Sequence, residues 1–167
     1  MISIKDLTYA YKRSGITAAN IAQIALILMF AAVILYVSYL KQMQLTRNRA
    51  RANELPLTEQ RAVPVIEAIQ GYIRQHGKPP PSLEALLPTF LKSLPYAGTI
   101  AKNGWHYTTN EDKQAGGWSL LVWVRNEYSP NINGFGDRFV YRPSGQYPPK
   151  GYGGILMPVD KWGYYVE

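Results

Sequence analysis

The segment from Gly15 to Leu40 contains no charged side chain, and this run constrains the fold more than any other feature of the chain. Its densest part, Ile24–Val37, has only Ala between large apolar residues. A helix of about 20 apolar residues is long enough to cross the hydrocarbon layer of a bilayer. The sequence therefore predicts one transmembrane helix over residues 16–40.

Two other interpretations fit this run less well. A cleaved secretory signal has a shorter apolar stretch that ends at a small-x-small cleavage site. Here the stretch is much longer and ends in Tyr39-Leu40-Lys41-Gln42. A buried helix of a soluble core rarely continues this far without a charge.

Basic residues follow the apolar run directly, and the whole chain has a net charge of +7. The cluster Lys41, Arg47, Arg49 and Arg51 predicts contact with anionic lipid head groups. It argues only weakly for nucleic acid, because aromatic residues are not interleaved with it. The chain contains no Cys, which excludes disulfides and thiol chemistry.

The residues after the span predict a polar stalk over 41–56 and a single folded domain over 57–167. Pro56 disfavours helical geometry at the preceding residue, so we expect the stalk helix to end there. A second helix is predicted over Thr58–His76, because apolar residues recur in it at spacings of three and four. We expect Ser82 to cap a short third helix, Leu83–Leu87.

The last third of the chain changes to short runs of aromatic and β-branched residues, which are typical of strands. Trp118–Val124 is apolar on both faces, so this strand should be covered by the Thr58–His76 helix. The sequence therefore predicts an α+β domain in which a helix packs on a small antiparallel sheet. The predicted strands are Trp105–Thr109, Trp118–Arg125, Asp137–Arg142 and Trp162–Val166, and the predicted loops are Tyr128–Gly136 and Gly145–Gly154.

Two stretches resemble the type IV pilin-like proteins, and among them the pseudopilins of type II secretion. Arg61–Pro95 (RAVPVIEAIQGYIRQHGKPPPSLEALLPTFLKSLP) is similar to the passage that joins the long helix to the sheet in that family. Lys12-Arg13-Ser14-Gly15 before Ile16 is similar to a prepilin leader. The resemblance implies a pilin-like domain outside the inner membrane, a cytoplasmic tail over residues 1–15, and a structural or assembly role among other pilin-like subunits or copies of itself.

The chain departs from the family next to the possible processing site, Gly15 and Ile16. The fifth residue after the glycine is Asn20, where the family usually has Glu, and Ile16 replaces the usual Phe. These departures favour a minor, tip-like or merely anchored relative over a major filament subunit. The tail is either cleaved after Gly15 or kept as an uncleaved signal anchor, which is the preferred interpretation. The positive-inside rule alone slightly favours a cytoplasmic C-terminus, whereas the resemblance implies the opposite orientation.

No catalytic set or cofactor site is predicted. The two histidines, His76 and His106, have no close Asp or Glu spacing that is typical of a metal site. Oxygen ligands from Asn131, Asn133 and Asp137 make a weak calcium candidate. That loop offers only one carboxylate, so a plain hairpin turn at Asn133-Gly134 is preferred.

Two further groups of residues suggest binding. Tyr147, Tyr152, Trp162 and Tyr164 could bind a glycan or a peptide, and a membrane-tethered binding module is therefore the alternative function. The preferred interpretation is that these aromatics pack within the domain. Thr17, Asn20 and Gln23 share one face of the span and could hydrogen-bond to another helix, unless they lie in the hydrated head-group layer.

Overall fold

The computed structural model describes residues 17–109, 117–130, 136–150 and 154–167. Two structural units divide between Met43 and Gln44. The described elements are a long helix α1, Ala18–His76, and five strands, with short 3-10 helices at Glu84–Leu86 and Asn126–Tyr128. The strands are β1 Ala101–Thr108, β2 Ser119–Val124, β3 Arg138–Tyr141, β4 Ile155–Val159 and β5 Trp162–Val166.

Helix α1 passes without a break through Pro56 and Pro64, so the predicted helix end at Pro56 is wrong. Buried residues lie on both sides of Pro56, including Leu55 and Thr58, and their packing holds the chain helical against the local preference of a residue before proline. The carbonyls that would have received the two missing N–H groups belong to Ala52 and Gln60. Both residues are exposed, so water can satisfy these carbonyls.

The short helix after the proline-rich segment is present at Glu84–Leu86, but Ser82 does not cap it as predicted. Leu83 occupies the N-cap position, and no side chain caps the helix. The Ser82 hydroxyl instead donates to the Glu84 carboxylate, and this hydrogen bond lowers the pKa of Glu84. The Ser82 hydroxyl was expected to bond to a backbone N–H at the start of the helix, but it bonds to the Glu84 side chain.

The strands form one antiparallel sheet in the order β1-β2-β3-β5-β4. Four strands were predicted to within a few residues, whereas β4 was not predicted. β4 contains Pro158, which cannot donate to a ladder and is therefore confined to edge strands or bulges. β4 pairs with β5 alone among the described strands, and this edge position tolerates Pro158.

The main core lies between α1 and one face of the sheet. It includes Ala62, Val65 and Ile69 from α1, and residues of β2, β3 and β5 belong to the same cluster. The prediction that the Thr58–His76 segment covers this strand is confirmed for one face, since Leu120 and Val122 of β2 belong to the same buried cluster as Ala62 of α1.

A smaller cluster on the opposite sheet face is closed by the segment 142–150. Leu121, Val140 and Tyr165 are buried there, with Tyr147 packed against them. The Tyr147 ring lies directly over Gly163, where a Cβ atom would fall 2.6 Å from the ring. The Tyr147 hydroxyl also donates to the Lys161 carbonyl at 2.7 Å. A loop therefore covers this face where a second layer of structure would otherwise be needed.

Candidate functional site

The apolar half of α1 presents its side chains to the surroundings. Every residue from 17 to 39 is exposed, including Ile27 at 65% and Leu35 at 71%. Soluble proteins rarely leave such a continuous apolar surface open to water. By length and composition, α1 is the one helix in the described part of the chain that could cross a membrane. The structure is therefore compatible with a single-pass membrane helix.

Thr17 and Asn20 form a reciprocal cap at the start of α1. The Thr17 backbone N–H donates to the Asn20 Oδ1 atom at 3.1 Å, and the Asn20 backbone N–H donates to the Thr17 Oγ1 atom at 3.3 Å. The Thr17 hydroxyl donates to the same Asn20 oxygen. This is the geometry of a capping box, which satisfies N–H groups that a helix start leaves unpaired. Asn20 thus bonds within its own helix, while Gln23 is exposed nearby.

The predicted basic cluster is divided between the two structural units. Lys41 lies in the first structural unit, whereas Arg47, Arg49 and Arg51 lie in the second. Arg49 is exposed, but Arg51 is half-buried, with its guanidinium carbon 5.2 Å from the Tyr164 ring centroid. Arg51 therefore packs against a tyrosine of β5, and its contact with lipid stays a prediction.

Asp137 has a buried carboxylate side chain, and the residue is only 1% exposed. Its Oδ2 atom accepts a hydrogen bond from the Tyr164 hydroxyl at 3.0 Å, and its Oδ1 atom accepts one from the Glu167 backbone N–H at 2.9 Å. Burial, followed by the neighbouring Asp137 carboxylate, raises the pKa of Tyr164. The only carboxylate of the predicted calcium loop is thus committed inside the domain, while Asn131 and Asn133 lie outside the described residues.

The predicted binding aromatics that the structure describes are buried or half-buried. Trp162 and Tyr164 are 4% and 1% exposed, and Trp162 stacks on Phe139 with ring centroids 4.5 Å apart. Tyr147 is half-buried in the loop that covers the sheet. Tyr152 lies outside the described residues. The two buried residues belong to the core, as expected for β5 residues whose alternating side chains face the helix.

An ion pair within α1 contacts the segment before β1. The sequence did not indicate the contact between this pair and that segment. The Arg61 Nη1 atom lies 3.6 Å from the Glu54 Oε2 atom. The Arg61 guanidinium also lies 5.9 Å from the ring centroid of Tyr96, a ring that is 68% exposed. A Cβ atom on Gly98 would fall 2.5 Å from the Arg61 Nη1 atom. Glu54 and Arg61 are two helical turns apart, and this spacing is a sequence signal for the ion pair. The spacing does not identify Gly98 as a neighbour of Arg61.

The remaining candidates are a metal site, the two histidines and the possible processing site. Within residues 17–109, 117–130, 136–150 and 154–167, no group of three His, Asp or Glu side chains is arranged to hold a metal ion. His76 stacks on Tyr72 with centroids 4.0 Å apart, and His106 contacts the edge of Trp123. The possible processing site, Gly15 and Ile16, lies outside the described residues.

Comparisons with protein-family models, with curated proteins and with solved structures found no match for this chain.

Proposed function

We propose that this chain is a non-enzymatic, single-pass membrane protein with a structural or assembly role in a secretion or pilus-type system. In this proposal the apolar half of α1 crosses the inner membrane, and the sheet domain is extracytoplasmic. Its partners are the bilayer and other membrane or pilin-like subunits, including copies of itself, and no nucleic acid is involved.

The observation that carries the proposal is the use of one helix, Ala18–His76, for two different environments. Its first part exposes apolar side chains, whereas its later part buries Val65 and Ile69 against an antiparallel sheet. This arrangement supports the resemblance to pilin-like proteins drawn from the Arg61–Pro95 stretch and from the short basic tail. A helix that enters its own domain in this way suits a protein whose work is done through protein contacts near a membrane.

The alternative of a glycan-binding or peptide-binding module receives less support. Its proposed aromatics, Trp162 and Tyr164, are in the core, and Tyr147 hydrogen-bonds through its hydroxyl to a backbone carbonyl. Tyr96 is an exposed ring, but its neighbour is the Arg61–Glu54 pair of its own chain.

Fractionation and photo-crosslinking of the full-length protein test the proposal. We expect the protein to remain in membranes after alkaline carbonate extraction, and added protease should digest its domain in intact spheroplasts. A photoreactive residue in place of the exposed Leu35 should give discrete adducts with pilin-like subunits or with a second copy. A matched substitution at the exposed Pro158 of β4 controls for random collision. A full-length protein that stays soluble without detergent, or a domain protected inside spheroplasts, would overturn the proposal.

Mature protein that begins at Ile16 would identify a processed pilin-like leader. Protein that begins at Met1 would identify an uncleaved anchor. N-terminal sequencing of the membrane-extracted protein distinguishes these two forms of the proposed function.

A further inference from the structure

Strand β4 forms one edge of the described sheet and has exposed apolar side chains. The order of the strands places it last, beside β5. Its Ile155 and Met157 side chains are 68% and 43% exposed. An edge strand with exposed apolar side chains is a site at which a strand of another chain pairs, if its backbone groups are free. The partners of those backbone groups therefore decide whether this edge joins copies of the chain into one sheet.

The register of β4 against β5 identifies the backbone groups that point outward. Val159 pairs with Trp162 around a two-residue turn, and such a turn is closed by a hydrogen-bonded pair. Hydrogen-bonded and non-hydrogen-bonded pairs alternate along antiparallel strands. The next residue of β4 that bonds to β5 is therefore Met157, whereas Leu156 and Pro158 direct their backbone groups away from β5.

The two outward donor positions of β4, 156 and 158, are both closed. Pro158 has no backbone N–H to donate to another strand. The Leu156 backbone N–H already donates to the Pro149 carbonyl at 3.2 Å. Pro149 belongs to the segment 142–150 that covers one face of the sheet, and we call this segment the strap. At these two positions the outer side of β4 offers only carbonyl acceptors, whereas a hydrogen-bonded antiparallel pair needs a donor from each strand.

Two tyrosine hydroxyls fix the strap in this position. The Tyr165 hydroxyl of β5 donates to the Pro148 carbonyl at 3.0 Å. The Tyr147 hydroxyl, which belongs to the strap, donates to the Lys161 carbonyl at 2.7 Å. Pro148 and Pro149 have no backbone N–H, so the strap accepts hydrogen bonds from the sheet without presenting donors there to a further strand. The strap therefore covers the edge of the sheet without forming a new edge.

We propose that the strap caps the β4 edge and prevents it from adding a strand of a second copy of the chain. Pro158 and the strap act together, since each closes one of the two outward donor positions. Contacts with other subunits then use surfaces other than this edge. The inference goes beyond the proposed membrane function and is independent of it, because every contact that carries it lies within residues 142–166.

Hydrogen exchange at the Leu156 amide tests the cap in a mild variant. Tyr165→Phe keeps the buried ring but removes the hydroxyl that bonds to Pro148. In the full-length protein in detergent micelles, NMR should show Leu156 exchanging about fivefold faster relative to the amides of β2, the factor that one net hydrogen bond supplies. Tyr128→Phe, which removes a hydroxyl bonded to Thr99, is the matched control and should leave this ratio unchanged. An unchanged ratio in Tyr165→Phe would overturn the proposal.

Disulfide trapping tests the consequence for assembly. The chain contains no Cys, so one introduced cysteine reports one position. If two β4 strands pair so that residues 156 and 158 exchange hydrogen bonds, the two copies of residue 157 lie opposite each other, with Cα atoms about 4.5 Å apart and within reach of a disulfide. The two copies of residue 155 would then lie about 14 Å apart. Met157→Cys is therefore the reporter, and Ile155→Cys, at a more exposed position of the same strand, is its matched control.

The cap is opened by combining Pro158→Val with Tyr147→Phe and Tyr165→Phe. In this background we expect Met157→Cys to give roughly tenfold more disulfide-linked dimer than in the unmodified background, the factor that one or two net hydrogen bonds supply. Ile155→Cys should show no gain. Pro158→Val alone, or the two tyrosine substitutions alone, should give little dimer, because one outward donor position stays closed.

Three outcomes of the trapping experiment would overturn the proposal. They are no gain of dimer through Met157→Cys, an equal gain through Ile155→Cys, and a full gain from Pro158→Val alone or from the tyrosine substitutions alone. A combined variant that loses its near-ultraviolet circular dichroism is set aside, and the Leu156 exchange ratio in Tyr165→Phe then decides. Both readouts are taken in micelles, so failure of the chain to enter a membrane would refute the proposed function and not the cap.

Discussion

The Tyr164→Phe substitution tests how the buried carboxylate of Asp137 is held. The change keeps the aromatic ring in the core but deletes the hydroxyl that donates to the Asp137 Oδ2 atom at 3.0 Å. Both residues are only 1% exposed, so water does not readily replace the lost donor. Removing one partner of a buried charged acceptor costs about 1.5–3 kcal/mol, and we expect Tyr164→Phe to lower the free energy of unfolding by about 2 kcal/mol.

Asp137→Asn should be milder, for a reason that depends on the same geometry. The asparagine oxygen can accept from the Glu167 backbone N–H, and its amide can donate to the Tyr164 hydroxyl, which is able to accept as well as donate. Both hydrogen bonds of the site are then kept, with donor and acceptor exchanged in the contact with Tyr164. The order of destabilisation, with Tyr164→Phe worse than Asp137→Asn, therefore distinguishes hydrogen-bond satisfaction from a simple requirement for negative charge.

The assay is thermal unfolding of the full-length protein in detergent micelles, followed by near-ultraviolet circular dichroism. A loss of about 2 kcal/mol corresponds to a fall in Tm of roughly 6–10 °C for a domain of this size. Tyr96→Phe is the matched control, since that ring is 68% exposed and its variant should unfold within about 0.5 kcal/mol of the unmodified protein. A Tyr164→Phe variant that unfolds with the control, or an Asp137→Asn variant that is the less stable of the two, would refute the reasoning.

Three further outcomes can be measured in the same assay. Gly98→Ala should destabilise the domain by at least 1 kcal/mol more than Gly104→Ala, since both positions have positive φ but only Gly98 faces a neighbour within 3 Å; equal losses would contradict this. Burial raises the pKa of Tyr147 to about 12, so the native state holds this proton more tightly than the unfolded chain does. Stability should therefore fall between pH 10 and 12, and Tyr147→Phe should flatten that fall; an unchanged slope would contradict it. Burial and the Asp160 charge raise the pKa of Glu59, which opposes folding when the carboxylate is ionised. Glu59→Gln should then stabilise the protein by less than about 0.5 kcal/mol at pH 7, with the gain disappearing below the usual pKa of glutamate; a loss of stability at pH 7 would contradict the sign.

The α+β organisation was predictable because its signals are local and periodic. Apolar spacing of three and four identified the helical stripe that includes Ala62 and Ile69, and a short run that is apolar on both faces identified β2 as a covered strand. At Pro56 the proline argued against a continuous helix, and packing on either side of it removed the penalty. Strand β4 was not predicted, and its Pro158 is tolerated because the strand pairs on one side only among the described strands.

The candidate sites were harder to predict because they depend on pairing between distant residues. The sequence showed that Asp137 and Tyr164 were noteworthy, but it assigned the first to a possible ion and the second to a possible surface. Their contact links positions 27 residues apart, and no spacing rule connects them.

Asn20 is the residue at which the structure changes the interpretation of the family resemblance most. In the pilin-like proteins that the chain resembles, the Glu at this position pairs with a neighbouring subunit's N-terminal amine, and Asn cannot supply that charge. The capping box shows what Asn20 does in place of this, because its oxygen accepts from Thr17 and completes the start of α1. In a hydrocarbon environment an unpaired N–H group costs several kcal/mol, so a helix start that satisfies two of its own donors has less need of a partner's groups. We therefore expect the span to be stable as a lone helix, and we attribute any lateral association to the apolar side chains and to Gln23, not to Asn20.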